Sequence, residues 1–62
     1  MQDALGAYCD GRTDGIAGRR NEQRATDPHT GADYRIGFLD GRIEMFRMHA
    51  QLRKIVGDTD SQ

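Results

Sequence analysis

The uninterrupted run from Tyr34 to Val56 constrains this chain most: it carries most of the large apolar side chains and contains no proline. Read at about 100° per residue, its apolar positions fall into two stripes. Tyr34, Phe38, Gly41, Met45, Met48, Leu52 and Ile55 recur at alternating steps of four and three, a heptad-like seam. Ile36, Leu39, Ile43, Phe46 and Ala50 form a second stripe displaced around the helix. A ridge of Arg35, Arg42, His49 and Arg53 separates the two, and Asp40, Glu44, Arg47 and Gln51 occupy the remaining arc. A surface helix needs a single apolar stripe to reach its core. Two stripes predict that this helix meets two different partners.

The first third of the chain supplies one of them. Asp3 is placed to cap a helix that begins at Ala4 and runs to about Arg20 despite its glycines. Each interior glycine costs up to about 1 kcal/mol relative to alanine, so Gly11, Gly15 and Gly18 need a reason. Their spacing provides it: Ala4, Tyr8, Gly11, Gly15 and Gly18 lie four and three apart, a small-residue seam that lets a second helix backbone come close. Gly37 and Gly41 offer a matching thin patch on the second helix. Beside the seam, Leu5, Cys9 and Ile16 form an apolar strip in which Cys9 reads as a small buried hydrophobe.

Between the helices, Asn21 to Thr30 is a polar connection with a turn signal at Thr26-Asp27-Pro28. Thr30 and Asp33 form a capping box for the second helix, with Asp33 alone as the alternative cap. Arg53 and Lys54 suit its C-terminal dipole, Gly57 its C-terminal stop, and 57–62 a disordered tail. The expected architecture is all-α: one domain over 1–62, a two-helix hairpin with helices at about 3–21 and 31–56. The glycine seam packs against Phe38, Gly41 and Met45. That leaves Ile36, Leu39, Ile43, Phe46 and Ala50 as an exposed patch for a dimer or protein partner, and a symmetric dimer closing a small four-helix bundle is the simplest cover.

Length and composition narrow the chemistry. A chain of 62 residues is marginal without a metal, a disulfide or oligomerisation. Cys9 is the lone cysteine, so no internal disulfide forms, and with His29 and His49 it does not make zinc-ligand spacing. No run is apolar enough to span a bilayer, and the lone thiol points to a reducing, cytoplasmic setting. The pairs Asp10/Asp14 and Asp40/Glu44 read as solvated charges, and Cys9 has no neighbouring base, so no catalytic residue, cofactor or small-molecule substrate is expected. Nine basic residues, eight of them Arg, stand against ten acidic ones. The one basic cluster is Arg19-Arg20 with Arg24 beyond it. Arginine's planar fork suits phosphate, although a net charge of −1 gives no general attraction to nucleic acid.

The glycines and arginines together resemble a known family. Gly11-x-x-x-Gly15-Ile-Ala-Gly-Arg19, then Glu22, Pro28 with His29, and Arg35-x-x-Phe38-Leu39-x-Gly41 are similar to the ribosome modulation factor family, over about Ala7 to Met45. The resemblance implies a short two-helix, non-enzymatic protein that binds the small ribosomal subunit and promotes inactive ribosome dimers in stationary phase. It implies that Arg19 and Arg35 contact rRNA phosphate, and the rest of the basic cluster and ridge, Arg20, Arg24 and Arg42, is expected to join them. It also places Phe38 and Leu39 in core positions and Pro28 at the inter-helix turn. The chain departs from the family in its acidic balance, in Arg42 standing where the family has a Trp, and in a longer connection between the helices.

Overall fold

The computed structural model describes the backbone of residues 3–60 and the side chains of 3–55. Three helices follow one another, α1 (Ala4–Ala17), α2 (Glu22–Ala25) and α3 (Gly31–Asp60), with no strand among the described residues. The all-α arrangement, with a long second helix packed on the first, is the one the sequence predicts. Its boundaries differ at three places, each for a local reason.

α1 starts at the expected cap, where the extended Asp3 accepts the Gly6 amide through Oδ1 at 2.7 Å. It ends at Ala17, short of the expected 21, because Gly18 turns to φ 72°, in the left-handed region. The Gly18 amide donates to the Gly15 carbonyl at 3.2 Å and the Arg19 amide to the Asp14 carbonyl at 2.9 Å. This is the paired Schellman closure, and a side chain at Gly18 would be strained there. Gly18 therefore stops the helix instead of lining the seam.

The connection is less polar than expected, since it folds into α2 behind an Asn21 cap and buries Ala25 completely. The start of α3 is capped one turn before the Thr30/Asp33 box. Asp27 Oδ1 accepts the His29 and Thr30 amides at 2.7 and 3.0 Å, and the Asp27 carbonyl accepts the Gly31 amide at 2.9 Å. Pro28 then sits in the first-turn position where its missing N–H leaves nothing unsatisfied. At the far end the helix passes through Gly57 to Asp60, so Gly57 does not stop it and Arg53 and Lys54 lie outside its last turn. The expected tail at 57–62 is thus helical as far as Asp60, and Ser61 and Gln62 lie outside the described residues.

The glycines explain how α1 and α3 meet. A Cβ on Gly11 would lie 2.1 Å from the Tyr34 carbonyl oxygen, and one on Gly15 2.2 Å from that of Phe38. Reciprocally, a Cβ on Gly37 would lie 2.0 Å from the Tyr8 carbonyl and one on Gly41 2.2 Å from that of Arg12. Each helix thus presents a Gly-x-x-x-Gly pair to the other's backbone, an approach that any side chain forbids. A step of four along α1 matches a step of four along α3 in the same direction. The two helices therefore run in the same sense, and residues 18–30 double back to return the chain to the start of α3. That return is why the connection is long.

This closeness leaves little room for a conventional core. Ala7, Ala25 and Tyr34 are fully buried, with Phe38 packed on them. Tyr34 is the one large side chain wholly enclosed among the described residues. Its hydroxyl donates to Asp14 Oδ2 at 2.5 Å and accepts the Asn21 amide at 2.9 Å, which ties α1, the connection and α3 together at one atom. The glycine face is the face of α1 that meets α3, so the strip beside it turns outward. Leu5 and Cys9 are exposed and Ile16 only half-buried, which corrects the reading of Cys9 as a buried hydrophobe.

α1 is about 21 Å long and α3 about 45 Å, at 1.5 Å per residue. Since the end of α1 lies beside Gly41 and Arg42, the half of α3 beyond Met45 projects past the packed body, and the molecule measures 54 × 18 × 13 Å.

Candidate nucleic-acid interface

Five arginines are expected to face RNA, and the fold treats them differently. Arg20, Arg35 and Arg42 line one cleft of about 300 Å³ together with Tyr34, Phe38 and Leu39. Arg20 comes from the loop after the Gly18 stop, and Arg35 and Arg42 from two turns of α3. Arg35 donates through Nη1 to the Ala25 carbonyl, which pins α2 to α3. Arg42 donates to the Gly15 carbonyl at 3.4 Å while its guanidinium lies 4.9 Å from the Phe46 ring centroid. Arg20 is exposed and pairs with the exposed Glu22 at 2.9 Å. None of these contacts uses all five N–H donors of a guanidinium, so each keeps donors for a ligand.

Arg24 and Arg19 stand outside that cleft. Arg24 reaches across to α1, where Nη2 lies 2.9 Å from Asp10 Oδ2, an ion pair without hydrogen-bond alignment. The same guanidinium lies 5.5 Å from the Tyr34 ring centroid. Arg24 is thus a structural clamp over the buried tyrosine. Arg19 is exposed and does not line it.

The carboxylates are where the sequence reading needs most correction. All four read as solvated charges bind across elements instead. Tyr8 Oη donates to Asp40 Oδ2 and Arg12 Nη2 to Glu44 Oε2, both at 2.5 Å, while Asp14 takes Tyr34 and Asp10 takes Arg24. The donors Tyr8 and Arg12 are four apart, and so are the acceptors Asp40 and Glu44. That matched spacing is the signal in the sequence that could have revealed both the pairs and the common sense of the helices. The contacts also shift titrations. The hydrogen bond to the Asp40 carboxylate raises the Tyr8 pKa, and burial, then the bond to Asp14, raises that of Tyr34. Asp27 is held below the usual carboxylate range by the Thr30 and His29 amides.

The second stripe is open as expected. Ile36, Leu39, Ile43 and Phe46 are 56, 60, 41 and 62% exposed, and Ala50 continues the row in the exposed class. Leu39 belongs to both the stripe and the Arg-lined cleft. Phe38 and Met45 are half-buried and Gly41 is buried, so the seam that faces α1 is the expected one. Among the described residues no three His, Cys, Asp or Glu side chains are placed to hold a metal, and no helix is long and apolar enough to cross a membrane.

These features define a small all-α protein built on a glycine-packed helix pair, with an arginine-rimmed cleft on one edge of α3 and an apolar row beside it. No protein family, curated protein or solved structure matches the chain in comparison.

Proposed function

We propose that the chain is a non-enzymatic, ribosome-associated protein of the modulation-factor kind, acting in the cytoplasm by binding RNA of the small subunit. The observation that supports this reading is the convergence of Arg20, Arg35 and Arg42 on one cleft floored by Tyr34, Phe38 and Leu39. Guanidinium forks around an apolar floor suit a phosphate together with an unpaired base, the form in which folded RNA presents its readable edges. Arg19, next to Arg20 in the chain and exposed, adds a further charge for the RNA backbone.

Co-sedimentation with ribosomes through sucrose at low and moderate salt tests the reading. The protein is expected to travel with the small subunit at low salt and to leave it as salt rises. Arg19→Glu/Arg20→Glu is the informative variant, because both residues are exposed and outside the helix contacts, whereas Arg35 also holds α2. Loss of binding in that variant supports the proposal. Absence of binding at low salt, or binding indifferent to salt, overturns it.

A second reading, a protein-interaction module or mobile-element inhibitor, draws on the exposed row from Ile36 to Phe46. It predicts a protein partner whose capture is lost in Phe46→Asp while ribosome binding is untouched.

A further inference from the structure

The open stripe has an occupant whose chemistry is written along its own edge. Ile36, Leu39, Ile43, Phe46 and Ala50 lie on the side of α3 away from the α1 contact, so a partner helix can reach them without disturbing the glycine packing. The edge of the stripe that carries Asp33, Asp40, Arg47 and Lys54 is acidic in its N-terminal half and basic in its C-terminal half. A helix with that polarity is complementary to a copy of itself laid in the opposite direction.

We propose that this face is a self-association surface, on which a second copy packs α3 against α3 in antiparallel sense about a two-fold axis at Ile43. One register satisfies both kinds of contact. It sets Ile36 level with Ala50 of the second copy and Ile43 level with itself, with Leu39 and Phe46 one residue out of level on the same face. In that same register Asp40 and Arg47, and Asp33 and Lys54, come within one residue of level along the shared edge, inside the reach of their side chains, and each pair is made twice by the symmetry. Tyr8 occupies one oxygen of Asp40 and leaves the other for the facing arginine. The opposite edge carries Arg35, Arg42, His49 and Arg53. There Arg35 and Arg42 are turned toward their own Ala25 and Gly15 carbonyls, which leaves Arg53 as the cation of that edge. The antiparallel pairing also covers Phe46 and Ala50 on the half of α3 that α1 does not reach. The face shares Leu39 with the Arg-lined cleft, and its test uses neither Arg19 nor Arg20.

Cysteine cross-linking in a Cys9→Ser background reads the register directly. Ile43→Cys is expected to form a disulfide-linked dimer with itself under mild oxidation. Ile36→Cys and Ala50→Cys should each fail to link alone but link to one another when mixed. Sedimentation equilibrium supplies the second measurement. The parent should dimerise, Phe46→Asp should be monomeric with helix content unchanged by circular dichroism, and Asp40→Arg should weaken association about tenfold through like-charge contact. The double variant Asp40→Arg/Arg47→Asp should recover it. A parent that stays monomeric as concentration rises overturns the proposal and leaves the stripe to a different protein. Self-linking of Ile36→Cys would indicate parallel pairing and overturn it equally.

Discussion

Replacing Gly11 or Gly15 by alanine separates two effects of opposite sign. Alanine favours a helix interior over glycine by about 0.8–1.0 kcal/mol. If the α1–α3 contact had any slack, either variant would therefore be more stable than the parent. The structure says otherwise, because the added methyl would sit 2.1 Å from the Tyr34 oxygen or 2.2 Å from that of Phe38. Both obstacles are backbone carbonyls, which cannot rotate away as a side-chain end can. Relief requires the helices to move apart along their shared length, which also loosens the reciprocal contacts at Gly37 and Gly41. Overpacking of this kind costs about 1–3 kcal/mol, and a rigid target puts these sites toward the upper end. Net of the propensity gain, the expected loss is about 1–2 kcal/mol. A core of this size supplies roughly 3–5 kcal/mol in all.

Thermal unfolding followed by circular dichroism at fixed protein concentration measures the outcome. For a domain of this length each 1 kcal/mol moves Tm by about 4–8 °C, so Gly11→Ala and Gly15→Ala should melt roughly 5–15 °C below the parent. Gly6→Ala is the internal control. It is also helical, but its methyl would meet only the capping Asp3 carboxylate at 2.9 Å and no backbone atom of α3, so its melting point should fall less than those of Gly11→Ala and Gly15→Ala. Melting of Gly11→Ala or Gly15→Ala at or above the parent temperature would refute the close-packed seam.

Two further outcomes follow from the hydrogen bonds. Tyr34→Phe keeps the ring but strands Asp14 and the Asn21 amide, and should cost about 1–2 kcal/mol in a denaturant titration. In the parent, the raised Tyr34 pKa means its contribution is present below the ordinary tyrosine value of about 10 and is lost as pH climbs through the higher folded value, an alkaline loss that Tyr34→Phe should lack. Asp27 has the opposite sign. Its folded pKa is depressed, so its stabilisation is present above the ordinary aspartate value of 3.8 and disappears as pH falls through the folded value. Asp27→Asn should flatten that part of the acid limb of a stability-versus-pH curve.

Much of the helix pair was legible because backbone contact leaves a sequence trace: Gly11, Gly15, Gly37 and Gly41 keep helical period, which loop glycines have no cause to do. The same trace misled at Gly18, which continues the spacing yet serves the stop. Period alone cannot distinguish a glycine used for thinness from one used for positive φ. Pro28 and Thr30 drew attention away from Asp27, whose carboxylate does the capping. The Arg-lined cleft was half legible. The arginines were identifiable by type, but which ones converge depends on the doubling back of residues 18–30. That path turns Arg20 toward Arg35 and Arg42 and sends Arg24 to Asp10. The carboxylate contacts were missed because each partner lies 14 to 32 residues away, beyond any local pattern.

Those contacts also change what the net charge means. Asp10, Asp14, Asp40 and Glu44 are engaged by Arg24, Tyr34, Tyr8 and Arg12, so four of the ten acidic residues are spent inside the fold. From Met45 to Ile55 the chain carries Arg47, Arg53 and Lys54 and no acidic residue. A balance of −1 is therefore compatible with a locally cationic edge, and the size of that edge bounds the salt response. If Arg20, Arg35 and Arg42 neutralise about three phosphates, the logarithm of the RNA association constant should fall with the logarithm of salt at a slope of about −2 to −3. Recruitment of the projecting half of α3 would add up to three more charges and steepen the slope to about −4 to −5. Arg53→Gln/Lys54→Gln distinguishes the two cases. An unchanged slope confines RNA to the cleft, whereas a shallower one means the bound strand continues along α3.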